Sequence, residues 1–156
     1  MIPDEVAQFL QQGLSIHVAT RDAQMAPLGA RALAVRVHEN GRRLTVYVAE
    51  AAAERLRAAL DASRQAAVNV GRPVDDRACQ VKGVLEGMQP ADATDRRLIE
   101  SQWRGFLDQL TLVGIAPDAV AAWVTWPALA IELRVTAVFE QTPGPLAGTA
   151  LPGPRP

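Results

Sequence analysis

Two segments of this 156-residue chain, 30–38 (ARALAVRVH) and 78–89 (ACQVKGVLEGMQ), set polar side chains into runs of apolar, β-favouring residues. Successive side chains of a strand point to opposite faces. Arg31 therefore falls on one face with Leu33, Val35 and Val37, and Gln80 on one with Lys82 and Val84. A polar group on an apolar face needs a partner, so two such strands in a small β-rich domain point to a sheet that carries a polar site.

The same period recurs along the chain. Strands are expected at 14–20 (LSIHVAT), 28–38, 44–49, 65–71, 78–89 and 129–140. In the last of these, Leu129, Ile131, Leu133, Val135, Ala137 and Phe139 are expected to face the core, with Glu132, Arg134, Thr136 and Glu140 facing water. The turn Glu39-Asn40-Gly41-Arg42 contains Asn-Gly, a strong hairpin signal, and makes the second and third strands an antiparallel pair. Helical spacing appears at 3–12, with Gly13 as its stop, and at 51–64, which is alanine-rich with Leu56 and Leu60 four apart. A third helix is capped by Asp92, carries the stripe Ile99, Trp103, Phe106, Leu107 and Leu110, and ends at Gly114. The expected fold is mainly β: a six-stranded antiparallel barrel with three flanking helices, the first lying across a barrel opening. One domain, 1–148, accounts for this pattern. Five prolines and three glycines between Pro143 and Pro156 leave 149–156 as a loose Pro/Gly-rich tail.

Sixteen basic residues against seventeen acidic ones give a net charge of −1, without the basic surplus of a phosphate-dominated nucleic-acid binder. No apolar run approaches the ~20 residues of a membrane span. The first residues, MIPDEVAQFLQQG, lack the pattern of a signal peptide, and Cys79, the single cysteine, has no internal partner. A cytoplasmic protein without nucleic-acid or membrane partners is expected. There is no GxGxxG after a strand, no Walker loop, and no CxxC, HExxH or GxSxG. Two distant histidines, His17 and His38, do not make a metal site, and no catalytic acid or base stands out.

The order of elements, the ARALAVRV strand and the QVKG segment at 80–83 together resemble the pyridoxamine 5′-phosphate oxidase-related, FMN-binding split-barrel family, over about 5–148. The resemblance implies a homodimeric flavoprotein with FMN at the subunit interface and an oxidoreductase activity on a small-molecule substrate. It places the flavin phosphate on Arg31, with the backbone of Ala32 and Leu33 along the ring and Arg36 as a second basic position on the strand. Gln80 and Val81 would contact the isoalloxazine, with Lys82 as a cation at the rim. The chain departs from the family pattern at the helix after the third strand. Where hydroxyls and a lysine are usual, it has Ala51, Ala52, Ala53 and Leu56, with Val48 in place of a threonine, so Arg55 or Arg57 and backbone N–H groups would have to serve. The alternative on the same fold is a non-enzymatic protein that binds haem, through His17 or His38, or another small molecule.

Overall fold

In the computed structural model, residues 1–38, 41–123 and 125–152 are described. Seven strands form one antiparallel sheet: β1 (Ser15–Arg21), β2 (Pro27–Ala32), β3 (Ala34–His38), β4 (Arg43–Ala49), β5 (Gln65–Gly71), β6 (Ala78–Pro90) and β7 (Ala128–Glu140). Three α-helices flank it, α1 (Asp4–Leu10), α2 (Glu50–Ser63) and α3 (Ala93–Leu112), and a short 3₁₀ helix spans Pro117–Val120. The strand order is β2-β1-β5-β6-β7-β4-β3.

The count is seven rather than six because the expected strand 28–38 breaks at Leu33. Residues on its N-terminal side pair with β1 and those on its C-terminal side pair with β4, at opposite ends of the sheet. Since Leu33 alone joins β2 to β3, the sheet has to curl until its two edges adjoin there, yet they do not pair and the barrel stays split. The Leu33 N–H donates to the Tyr47 carbonyl at 2.7 Å, which fixes the break. It also changes the face. Arg31 and Leu33 point to a groove outside the barrel, whereas Val35, expected beside them, belongs to the main core with Ala32. Glu39 and Asn40 of the hairpin expected at 39–42 lie outside the described residues, but Gly41 has a positive φ of 80° and β3 and β4 do pair antiparallel, from His38↔Arg43 to Ala34↔Tyr47.

The barrel interior holds the core: Ile16, Val18, Val46, Val68, Val81, Leu85, Ile131 and Leu133, closed at one side by Phe9 and Leu10 of α1 and Leu56 and Leu60 of α2. The expected phase of the last strand holds from Leu129 to Val135 and then fails. Lys82 pairs with Ala137 and Gly83 with Val135, so Thr136 is a bulge residue, and beyond it Val138 is buried while Ala137 and Phe139 are half-buried. Ala128 and Ala130 are also buried, on the outer face beneath α3, because this end of β7 is covered on both sides.

Helix α3 is attached to the edge strand β3 by polar contacts. The Gln102 amide accepts from the Val35 N–H at 3.0 Å and donates to the Val35 carbonyl at 2.8 Å, acting as a missing strand would. Asp92 and Asp95 form a reciprocal capping box at the helix start. Asp95 also accepts from the Tyr47 hydroxyl and from Arg36, both at 2.7 Å. Burial pushes the Asp95 carboxyl up, but the hydrogen bonds from Tyr47 and the Asp92 backbone, together with the Arg36 charge, outweigh it and hold it below the usual range. Where α3 passes the α1–β1 corner, Gly13 and Gly105 meet backbone to backbone. A Cβ on Gly13 would lie 2.1 Å from the Gly105 carbonyl carbon, so no side chain fits.

Residues 149–151, expected in the loose tail, are held against the barrel. The Glu140 N–H donates to the Thr149 carbonyl, Ala150 bridges to Phe139, and the Leu151 N–H donates to the Val138 carbonyl at 2.8 Å with its side chain against the core. The turn at Gly144 and Gly148, both at positive φ, lets the prolines reverse the chain rather than release it. Residues 153–156 lie outside the described part.

Two outcomes follow for stability. Truncation after Gly148 removes the two backbone hydrogen bonds that Thr149 and Leu151 make to β7 and the Leu151 contact, a loss of about 2–3 kcal/mol, and should lower Tm by about 5 °C or more in a thermal melt. Asp95→Asn should cost about 1–3 kcal/mol near neutral pH in urea unfolding. Because its native pKa is depressed, Asp95 contributes stability that is present above the unfolded carboxylate value of about 3.9 and is lost as pH falls through the native value. The variant should therefore lose less stability than the parent below about pH 4.

Candidate functional site

Arg31 ends β2 on the outside of the barrel, where two hollows meet. The first, about 370 Å³, is lined by Leu33, Ala49, Ala51, Ala52, Trp103 and Trp123, with Arg31 at its edge. The second, about 540 Å³, runs between β2 and α2 and is lined by residues 28–31 together with Ala51, Ala52 and Glu54 to Leu56. Arg31, Ala51 and Ala52 belong to both, so the hollows form one groove with an apolar, ring-walled end and a polar end.

The polar end carries charge of both signs, with Glu54 beside Arg31 and Arg55. The Arg31 guanidinium is half-buried, and among the described residues no carboxylate pairs with it. Its polar contact is the Ser15 hydroxyl at 3.5 Å. Its guanidinium carbon lies 4.3 Å from the centroid of the Trp123 ring and 5.0 Å from that of Phe106. Burial lowers its pKa. The N-terminus of α2 adds to the positive end of the groove. Its N-cap is Ala49, which offers no side-chain acceptor; the Glu50 N–H donates to the Pro127 carbonyl at 2.9 Å, and the next N–H groups of this 14-residue helix meet no capping side chain. Arg55 projects from the same helix as an exposed cation at the polar end, while Leu56 is buried and Arg57 is paired with Glu50.

The other sequence-derived candidates lie elsewhere. Arg36 faces α3 rather than the groove and is bonded to Asp95. Ala32 and Val81 place their side chains in the core, so only their backbones could meet a ligand. Gln80 and Lys82 share the outer face of β6. Lys82 lies 4.8 Å from the Phe139 ring centroid and lines a separate hollow of about 440 Å³ with Ala19, Ala67 and Thr136. Arg31 and Gln80 nevertheless occupy one cross-strand row, Arg31–His17–Asn69–Gln80–Phe139, running over five strands. At ~4.8 Å per strand step they are about 14 Å apart within one chain. His38 is hydrogen-bonded to Thr45 at 2.9 Å. His17 is exposed directly opposite Arg31, and burial and then the Arg31 charge lower its pKa.

Sequence reasoning missed Ser15 and the aromatic group Trp103, Phe106 and Trp123, whose ring centroids are 5.5 to 6.4 Å apart. Tryptophans on the helix stripe and in the following loop carry no sequence signal that links them to a strand early in the chain.

No protein-family model matches the chain, and no curated protein matches it significantly. Similar solved structures exist. An F420 reductase aligns with a TM-score of 0.58 at 20% identity, covering 88% of this chain and 98% of its own. A putative pyridoxamine 5′-phosphate oxidase from Lactobacillus delbrueckii aligns with a TM-score of 0.54 at 16% identity, covering 88% and 93%. An FMN-binding protein from Syntrophomonas wolfei aligns with a TM-score of 0.54 at 13% identity, covering 86% and 83%. The fold is that of the pyridoxamine 5′-phosphate oxidase-like split barrels. At these identities the likeness concerns the fold. Among the described residues no helix is long and apolar enough to cross a membrane.

The Arg31–His17 pair gives a direct check of the site's field. Arg31→Met should raise the His17 pKa toward 6.5, followed by NMR titration of the imidazole. An unchanged value would mean that the guanidinium does not act across the β1–β2 ladder.

Proposed function

We propose that this protein binds FMN in the groove between β2 and α2 and serves as an FMN-dependent oxidoreductase on a small-molecule substrate. The observation that carries this is Arg31, a half-buried cation that no carboxylate pairs with among the described residues, set between an apolar ring-walled hollow and the N-terminus of α2, which has no side-chain cap. That combination suits a flat ring joined to a phosphate. The ring would occupy the hollow of Leu33, Ala49, Trp103 and Trp123, with Ala49 and Ala51 small enough to let it approach the backbone. The phosphate would sit at the other end, on Arg31, Arg55 and the first N–H groups of α2. These donors stand in for the absent hydroxyls and lysine. That the fold is shared with proteins described as FMN-binding or as an F420 reductase supports the same choice of ligand.

A bound flavin supplies the electron transfer, and the chain's part is to position it and exclude water. His17, held towards its neutral form beside Arg31, is the titratable group next to the phosphate end. Gln80 and Lys82 do not line the ring-walled hollow, so a ligand seated there leaves them unused within one chain. We infer that they serve the site of a second copy, in a homodimer that joins the outer sheet faces. The row of small residues Gly29, Ala19, Ala67 and Ala137, broken by Lys82, leaves that face free of bulky side chains and fits such a contact.

The test compares FMN with riboflavin, which lacks the phosphate, by flavin fluorescence quenching. Arg31→Ala should weaken FMN about ten- to a hundredfold, the worth of one charge-assisted contact, with little effect on riboflavin. Gln80→Ala should weaken both alike. Equal losses in Arg31→Ala would remove the phosphate from Arg31. Light scattering on the same samples should give a dimer, and a monomer that still binds FMN would take Gln80 out of the site. Purified protein with a Soret band in place of flavin absorption would favour a haem-binding protein instead.

A further inference from the structure

We infer that Trp123 is the positioning residue of this site: with Phe106 it forms an aromatic seat that aims the Arg31 guanidinium into the groove and selects ligands ending in a phosphate. The identity of that ligand rests on the flavin reading, but the seat itself does not.

A buried arginine is ordinarily oriented by a carboxylate, which also neutralises it. Arg31 is oriented differently. Its guanidinium carbon lies over both the Trp123 and the Phe106 rings, whose planes are 17° apart and whose centroids are 6.4 Å apart. Stacking uses the flat face of the guanidinium and leaves the N–H donors in its plane available, one of them directed at Ser15. The charge is held without being cancelled. A phosphate arriving in the groove can take two parallel donors at once, whereas a neutral end group cannot use the charge.

The seat is itself braced. Trp103 contacts both rings, at 5.5 Å from Phe106 and 5.8 Å from Trp123. The Trp123 N–H donates to the Val120 carbonyl at 3.0 Å, and Val120 is buried against Phe106 and Leu110. The connection between α3 and β7 thus places the indole, and α3 places the phenyl ring. Trp123 is 39% exposed, so replacing it opens no core cavity.

The experiment uses Trp123→Leu and Trp123→Phe in the intact chain, with two readouts. In the ligand-free protein the Arg31 Nε–H resonance should be displaced by ring currents, retain most of that displacement in Trp123→Phe and lose most of it in Trp123→Leu. In binding, Trp123→Leu removes a wall of the ring hollow and so weakens both flavins, but it should weaken FMN about tenfold more than riboflavin, with Trp123→Phe close to the parent. Equal weakening of FMN and riboflavin would leave Trp123 as a wall of the hollow only and overturn the proposal. Should the parent protein bind neither flavin, the flavin reading fails by itself and the seat is judged with inorganic pyrophosphate. Movement of the Arg31 resonance by pyrophosphate in the parent and Trp123→Phe, but not in Trp123→Leu, supports it, and no movement in the parent overturns it.

Discussion

The architecture depends on Leu33. A single residue connects the two edge strands of a seven-stranded sheet, and its N–H is bonded to Tyr47 at 2.7 Å. A flat sheet would put those edges more than 25 Å apart at ~4.8 Å per strand step, far beyond the reach of one residue. Curling is therefore compulsory, and so is the change of face at the break. Arg31, two residues earlier, is turned out of the barrel because Ala32 and Val35 are both needed inside it. Tyr47, which receives the Leu33 N–H on its carbonyl, gives its hydroxyl to Asp95 and so attaches α3 to the same corner. The residue that closes the barrel and the helix that carries Phe106 and Trp103 are thus fixed by one strand position.

This coupling accounts for how an uncompensated cation is tolerated. Leaving a guanidinium half-buried without an acid costs free energy, and the cost appears as the downward shift of its pKa. Ring stacking on Trp123 and Phe106 offsets part of it, at about 0.5–2 kcal/mol per contact, without supplying a negative charge. A carboxylate in their place would make a more stable apoprotein and a weaker anion site. Several arginines elsewhere are paired with carboxylates, Arg36 with Asp95, Arg43 with Glu86, Arg72 with Asp75 and Arg77 with Glu5. Arg31 differs from these in being half-buried with two rings, rather than an acid, beside its guanidinium.

Much of the fold was legible because alternation and helical period are local signals. The boundaries of β1, β5 and β6 and of α2 and α3 fall within one residue of those expected, and the Asp92 cap is present with a second acid, Asp95, that completes it. What was not legible depends on pairing partners distant in sequence. The break at Leu33 lies within an unbroken apolar run and is set by which strands flank it. The Thr136 bulge exists because β6 supplies one residue fewer opposite it, and nothing near Thr136 announces that. The prolines from 143 on suggested release of the chain, yet Pro143 and Pro145, with Gly144 and Gly148, stand in a turn that brings Leu151 back to the barrel. At the site, Arg31, Leu33 and Arg55 do line one groove, while Arg36, equally basic and on the same expected strand, is drawn to Asp95 by the face change.

The placement of Gln80 and Lys82 sets a further condition on any function. They are on the same sheet face as Arg31 and in or next to its row, so twisting the sheet does not bring them closer, and β1 and β5 stand between. A ligand that bridges both would have to lie flat across the face, over the exposed His17 and Asn69, and would leave the ring-walled hollow empty. A ligand that fills the hollow leaves Gln80 and Lys82 without a role in that same chain. Two copies facing each other satisfy both sets at once, since each copy then supplies a groove at one end of its row and a polar strand for the other copy's groove. The small side chains of the adjacent row, Gly29, Ala19, Ala67 and Ala137, are what would allow two sheet faces to come that close. The separation of the polar residues along one row thus sets the condition that a ligand must meet to use them all: it either lies along the row or is shared with a second copy.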